Sequence, residues 1–166
     1  MGVSRKVSRD YRGRQVDIEL LKHVEEMRDR QVVSPDVPDS PRLVAGREKV
    51  VQRYAKLFLT GYGSVKSDQD IGSDLLSEVA AGRVTDEAYL DHLCAIANAS
   101  AVVAMSADDS DESFGSQPPD ERLESVELSG VSLDRASGRA HVKARITTGS
   151  GDDFEFIIPI ESGLSA

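Results

Sequence analysis

Val126-Glu127-Leu128-Ser129-Gly130-Val131-Ser132-Leu133 decides the fold class. Val126 and Leu128 alternate with polar neighbours, Gly130 shifts the phase, and Val131 and Leu133 resume on the opposite parity. A period of two is the strand signature, and an interior glycine at a parity flip marks a β-bulge. Asp134 to Gly138 reads as a hairpin turn, after which Ala140, Val142, Ala144 and Ile146 alternate with His141, Lys143 and Arg145. Gly149 to Asp153 turns again into Phe154, Phe156, Ile158 and Ile160. Three strands joined by short loops predict an antiparallel meander.

Upstream of the meander the period lengthens towards four. Residues 106 to 121 form an acidic Ser/Gly/Pro-rich loop that includes Asp108, Asp109, Asp111 and Glu112. Before it, Leu90, Leu93, Cys94, Ala97, Ala101 and Met105 predict a helix, with Thr85 as its N-cap and Asp86 and Glu87 at the positive end of its dipole. A short helix is expected from Ser73 to Ala81, stopped by Gly82, and another from Leu43 to Leu59 with Val50, Val51, Tyr54, Leu57 and Phe58 on its apolar face. Ile18, Leu20, Leu21, Val24 and Met27 recur at three-to-four spacing, so an amphipathic helix is expected from Val16 to Arg30. Pro35, Pro38 and Pro41 then make a linker, since repeated prolines favour extended chain. The fold class is therefore α+β: a helical N-terminal half followed by a small antiparallel β-meander. Its parts are a basic extended arm (1–15), an amphipathic helix with a Pro-rich linker (16–42), and an α+β domain (43–166).

The chain has 166 residues, a size suited to a single core, and only one cysteine, Cys94, so neither a disulfide framework nor a four-cysteine zinc site is available. No apolar run approaches the roughly 20 residues that span a bilayer, so a soluble protein without a membrane partner is expected. Net charge is −9. Arg5, Lys6, Arg9, Arg12 and Arg14 face only Asp10 in the first fourteen residues, which leaves the remainder strongly acidic. A basic arm on an acidic body fits docking on another acidic surface, such as a second copy. The acidic body argues against direct nucleic-acid binding.

Patterns for catalysis and metal binding fail on spacing. His23, His92 and His141 have no flanking signature, and His92 and Cys94, two apart on a helix, point in different directions. Counting a calcium loop from Asp68 puts Gly72 at position 5, Ser73 at position 6 and Val79 at position 12, where oxygen, glycine and glutamate are needed. Gly61-Tyr62-Gly63 lacks the glycine and lysine of a phosphate loop. No enzyme activity, cofactor or metal is expected. The meander offers backbone instead. Phe154 to Ile160 is interrupted only by Glu155 and blunted by Pro159, so it is a lightly guarded edge unless a helix covers it.

Three segments carry a resemblance. They are Val51-Gln52-Arg53-Tyr54-Ala55-Lys56-Leu57-Phe58-Leu59-Thr60-Gly61-Tyr62-Gly63-Ser64, then Asp70-Ile71-Gly72-Ser73-Asp74-Leu75, and finally Glu121-Arg122-Leu123 running on to Phe156-Ile157-Ile158-Pro159-Ile160. Together they resemble the baseplate wedge and sheath-initiator family of contractile phage tails, shared with related injection machines. The first looks like that family's helix ending in a Leu-Thr turn, the second like its aromatic-Gly-polar step with Ile71 in place of the aromatic. The third resembles its Arg-containing approach to a meander that ends in a Pro-Ile strand. The likeness spans residues 43 to 161. Where the family has Glu-Pro-Arg, this chain reads Asp120-Glu121-Arg122 with Pro119 displaced.

The resemblance implies a virion protein of the tail baseplate, made in the host cytoplasm and present in six copies. Its implied partners are tail sheath subunits, other baseplate wedge proteins and the tail tube, with strand addition to the C-terminal sheet starting the sheath. The residues expected at interfaces are Glu121, Arg122, Leu123, Phe154, Phe156, Ile157, Ile158 and Ile160, together with Arg5, Lys6, Arg9, Arg12 and Arg14. Some members carry a lysozyme label, which implies a peptidoglycan-cleaving tail enzyme as the alternative, although no residue pattern here supports it.

Overall fold

The computed structural model describes residues 17–18, 22–27, 30–34, 43–66, 68–110, 117–134, 136 and 139–161. Four strands, β1 (Asp17–Ile18), β2 (Lys22–Met27), β3 (Arg30–Ser34) and β4 (Leu43–Val44), precede three helices, α1 (Arg47–Phe58), α2 (Leu75–Ala80) and α3 (Glu87–Ser110). A 3-10 turn, Pro119–Glu121, leads into β5 (Leu123–Asp134), β6 (Arg139–Thr148) and β7 (Asp153–Glu161). The class is α+β.

β5, β6 and β7 form the antiparallel meander, with register shifts between Leu128 and Gly130, where the parity flips, and between Leu123 and Ser125. One face of the sheet is apolar. Ala140, Val142, Ala144 and Ile146 of β6 and Phe156, Ile158 and Ile160 of β7 are buried against Val50, Tyr54 and Phe58 of α1 and Leu90, Cys94, Ala97, Ala101 and Met105 of α3. Ala97 and Ala101 leave little bulk in the middle of the inner side of α3, between Leu90 and Cys94 at one end and Met105 at the other. Phe58 and Phe156 each contribute about 1.5–3 kcal/mol by leaving water. Tyr54 ties the layers together: its ring meets Phe156 edge-on at 5.9 Å and 83°, and its hydroxyl donates to Asn98 Oδ1 at 2.8 Å.

The segment upstream of α1 differs from expectation. In place of a helix from Val16 to Arg30, the chain forms β2 and β3, an antiparallel hairpin with Lys22 opposite Ser34 and Val24 opposite Val32. β3 then runs parallel to β7, giving a five-stranded sheet in the order β2-β3-β7-β6-β5. Isolated helices shorter than about 12–15 residues are marginal in water, whereas a sheet edge supplies a backbone template. Tertiary pairing overrides the local period here.

Smaller differences have local causes. α1 begins at Arg47 rather than Leu43, because Leu43–Val44 pairs with β1 and Gly46 takes φ 64. Asp86, not Thr85, caps α3, its Oδ1 accepting the Tyr89 N–H at 2.7 Å. α3 runs on to Ser110, past Met105 and into the acidic stretch expected as loop. By length and composition α3 could cross a membrane, a property its interspersed Ala, Ser and Asn hide from a search for unbroken apolar runs. In this fold its Leu90, Cys94, Ala97, Ala101 and Met105 side is core.

Candidate functional site

The candidate site is the sheet and the groups that close its edges. Along β7, Phe156, Ile158 and Ile160 point into the core, while Phe154 and Ile157 are half-buried. The far side of this strand is neither open nor helix-covered. β3 lies on it in parallel, with Gln31 opposite Phe156 and Val32 opposite Ile157. Among the described residues, β2 and β5 are therefore the outermost strands.

The outer side of β5 is held at both ends by carboxylates of α3. The Leu123 N–H donates to Asp109 Oδ2 at 3.1 Å, and the Leu133 N–H donates to Glu87 Oε1 at 3.3 Å. Asp109 works in two directions, since its Oδ1 accepts from Arg53 Nη1 at 3.0 Å. Arg53 also donates to Gln117 at 3.2 Å and to Asp108 at 3.4 Å. The acids at 108 and 109 thus fasten α1, α3 and β5 together. Beside them a cleft of about 440 Å³ opens between Ser106, Asp109, Arg122 and Glu124. Arg122 is exposed there, its carbonyl accepting the Gly149 N–H at 3.0 Å.

Glu121 is buried. Its Oε1 accepts the Gly46 N–H at 2.9 Å and its Oε2 meets Lys49 Nζ at 2.9 Å. Gly46 has no side chain to cap α1, so a carboxylate from seventy-five residues away does so, at the positive end of the helix dipole. At the other end of α1, the first two quoted segments meet: Gly61 bridges Ser73 in parallel, the Ser73 N–H donates to the Thr60 carbonyl at 3.0 Å, and the Tyr62 N–H to the Ser73 carbonyl at 3.1 Å. The three segments quoted for the resemblance therefore converge on α1, two at its C-terminal end and one at its N-terminal end.

The nucleophile and base candidates are apart. Cys94 is buried, and burial, then the charge of Asp91, pushes its thiol up to about 12. His92 is exposed, His141 faces away from the core on β6, and His23 lies on β2. Asp68 Oδ1 accepts the Asp70 N–H at 3.1 Å in a local turn. No group of three His, Cys, Asp or Glu residues is arranged for a metal among the described residues. One consequence is measurable: in the folded protein at pH 8, Cys94 will resist a thiol reagent such as DTNB, and denaturant will restore full labelling. Rapid native labelling would show that the core opens around α3. Arg5, Lys6, Arg9, Arg12 and Arg14, with Pro35, Pro38 and Pro41, lie outside the described residues.

Sequence reading missed Lys49, Arg53, Asp109 and Glu87 as structural anchors. A signal existed for two of them: Lys49 and Arg53 stand four apart on α1, each next to core residues (Val50 and Tyr54), and a charge at the margin of a core needs a partner. No family model, no curated protein and no solved structure matches the chain.

Proposed function

We propose that this chain is a structural baseplate wedge subunit of a contractile tail, which starts sheath assembly by strand addition to its C-terminal sheet. Its partners in this reading are sheath subunits, neighbouring wedge proteins and the tail tube, in six copies within the virion. One observation carries the reading: the outer side of β7 holds an added parallel strand through its backbone, which is the geometry of β-augmentation. The β5 side is the less suitable partner edge, because Asp109 and Glu87 already take N–H groups at its two ends. A partner strand at β7 takes the place of β3.

Pro159 has no N–H, so within the β6–β7 ladder its nitrogen faces away from β6. Parity gives Ile157 the same orientation, making its N–H an outward donor on the strand-accepting side. Ile157→Pro removes that donor and leaves the β6 ladder intact. β3 draws on the same donor in the chain itself, so that variant weakens occupant and newcomer alike, by roughly 0.5–1.5 kcal/mol each. The decisive variant holds β3 in place: a Val32→Cys/Ile157→Cys disulfide should abolish the start of sheath growth in a reconstitution with purified sheath protein, and reduction should restore it. Normal sheath growth from the oxidised, cross-linked chain would sink the reading.

A further inference from the structure

The β2–β3 hairpin meets the rest of the fold through short ladders. β3 joins β7 at Gln31↔Phe156 and Val32↔Ile157, and β1, just ahead of the hairpin, joins β4 at Asp17↔Val44 and Ile18↔Leu43. Parallel pairing is slightly weaker per residue than antiparallel. The covalent connection from Ser34 to Leu43 is residues 35–42, with prolines at 35, 38 and 41. Eight residues can span at most about 26–29 Å.

Both ladders are made of backbone groups, so neither requires donor and acceptor strands to share a chain. The β7 and β4 edges of a second copy offer the same groups in the same register. We infer that copies of this chain exchange their β1–β3 segments, the hairpin of one copy completing the five-stranded sheet of another. Among free copies, the strand on the outer side of β7 is then the β3 of a second copy, which a sheath strand would displace as it would displace the chain's own. Exchange creates no new contact within the sheet: it breaks and remakes the same pairs, so its balance depends on concentration. A short tether gives the intramolecular arrangement an effective concentration of about 1 mM, and exchange gains as copies are brought together at comparable density. This inference stands without the sheath reading, because its test involves copies of this chain alone.

Two single variants, Val32→Cys and Ile157→Cys, carry different affinity tags and are mixed at about 1 mM, near the effective concentration of the tether. Oxidised glutathione then traps any pair of thiols brought into register, while Cys94 stays buried in both. The expected result is a reducible heterodimer joined through positions 32 and 157, its yield rising with concentration and well above that from either variant alone. A Val32→Cys/Ile157→Cys chain reports the same pairing in cis. Cross-linking only in cis, with no heterodimer in the mixture, overturns the exchange. No cross-link in either overturns the pairing on which it depends. Because cysteine substitution could itself perturb the strands, the unmodified chain is followed in parallel by light scattering. It should show a dimer fraction that grows towards the millimolar range and is lost in Val32→Pro, and a strictly monomeric chain throughout would count against exchange.

Discussion

Replacing Glu121 with alanine will lower the free energy of unfolding by about 3–5 kcal/mol, the usual consequence of removing one partner from a buried ion pair. The carboxylate has two tasks at one place. It accepts the Gly46 N–H at 2.9 Å, where α1 has no side-chain cap of its own, and it meets the Lys49 ammonium at 2.9 Å. Alanine removes the cap and leaves a nearly buried ammonium without its carboxylate. Many domains have only about 5–15 kcal/mol in total, so urea unfolding should show a large shift of the midpoint. Glu121→Gln retains an acceptor for Gly46 and should fall between alanine and wild type. Glu121→Leu combined with Lys49→Met should recover most of the loss, because a well-packed apolar pair often equals a buried ionic one. A loss below about 1 kcal/mol for the alanine variant would mean that water reaches Lys49 and that the helix end is not sealed.

Gly72→Ala is expected to be of similar severity. Gly72 has φ +116, and a Cβ there would stand 2.7 Å from the carbonyl carbon and oxygen of Gly61 and 2.8 Å from the Thr60 carbonyl oxygen. All three obstacles are backbone, so no side chain can swing aside. Relief requires the bridge between Gly61 and Ser73 to open, which forfeits the bonds from Ser73 to Thr60 and from Tyr62 to Ser73. Overpacking of this kind costs roughly 1–3 kcal/mol, and each lost bond about 1 more. Gly63→Ala is the comparison. Its φ of +70 is also unfavourable to alanine, but nothing lies within 4 Å, so its loss should stay near 1 kcal/mol. Equal melting temperatures for the two variants would refute the steric account.

The meander was legible because each of its strands has a period of two and one inward face, buried on β6 and β7 and half-buried on β5, and Gly130 stood at the parity change. α1 and α3 were legible because Tyr54, Phe58, Leu90 and Cys94 recur at helical spacing over more than three turns. The stretch around Val24 misled for a physical reason. Its apolar residues fit a helix when taken alone, but Lys22–Met27 and Arg30–Ser34 pair with each other and then with β7, a partner more than 120 residues away in sequence. No local window contains that partner. The anchoring role of Glu121 was hidden in the same way, since Gly46 and Lys49 lie over 70 residues from it. The Asp109 and Glu87 contacts to β5 depend on α3 reaching Ser110, a boundary the acidic composition of that stretch obscured.

α3 packs along β5 and is hydrogen-bonded to it at two points, Asp109 with Leu123 and Glu87 with Leu133. From Glu87 to Asp109 the helix climbs roughly 33 Å at 1.5 Å per residue. From Leu123 to Leu133 the strand takes ten steps, but its two register shifts set them against only eight steps of β6, Thr148 to Ala140, so it covers roughly 26 Å at about 3.3 Å per paired step. Two elements built on different rises are therefore matched to within about the reach of the two carboxylate side chains that join them. Chain length in this region is consequently a coupled variable. A residue added to the helix shifts one fastening by less than half of what a residue added to the strand does. Drift in the size of either element must be answered in the other at about two helical residues for each strand residue, or one end of the sheet's outer border comes undone.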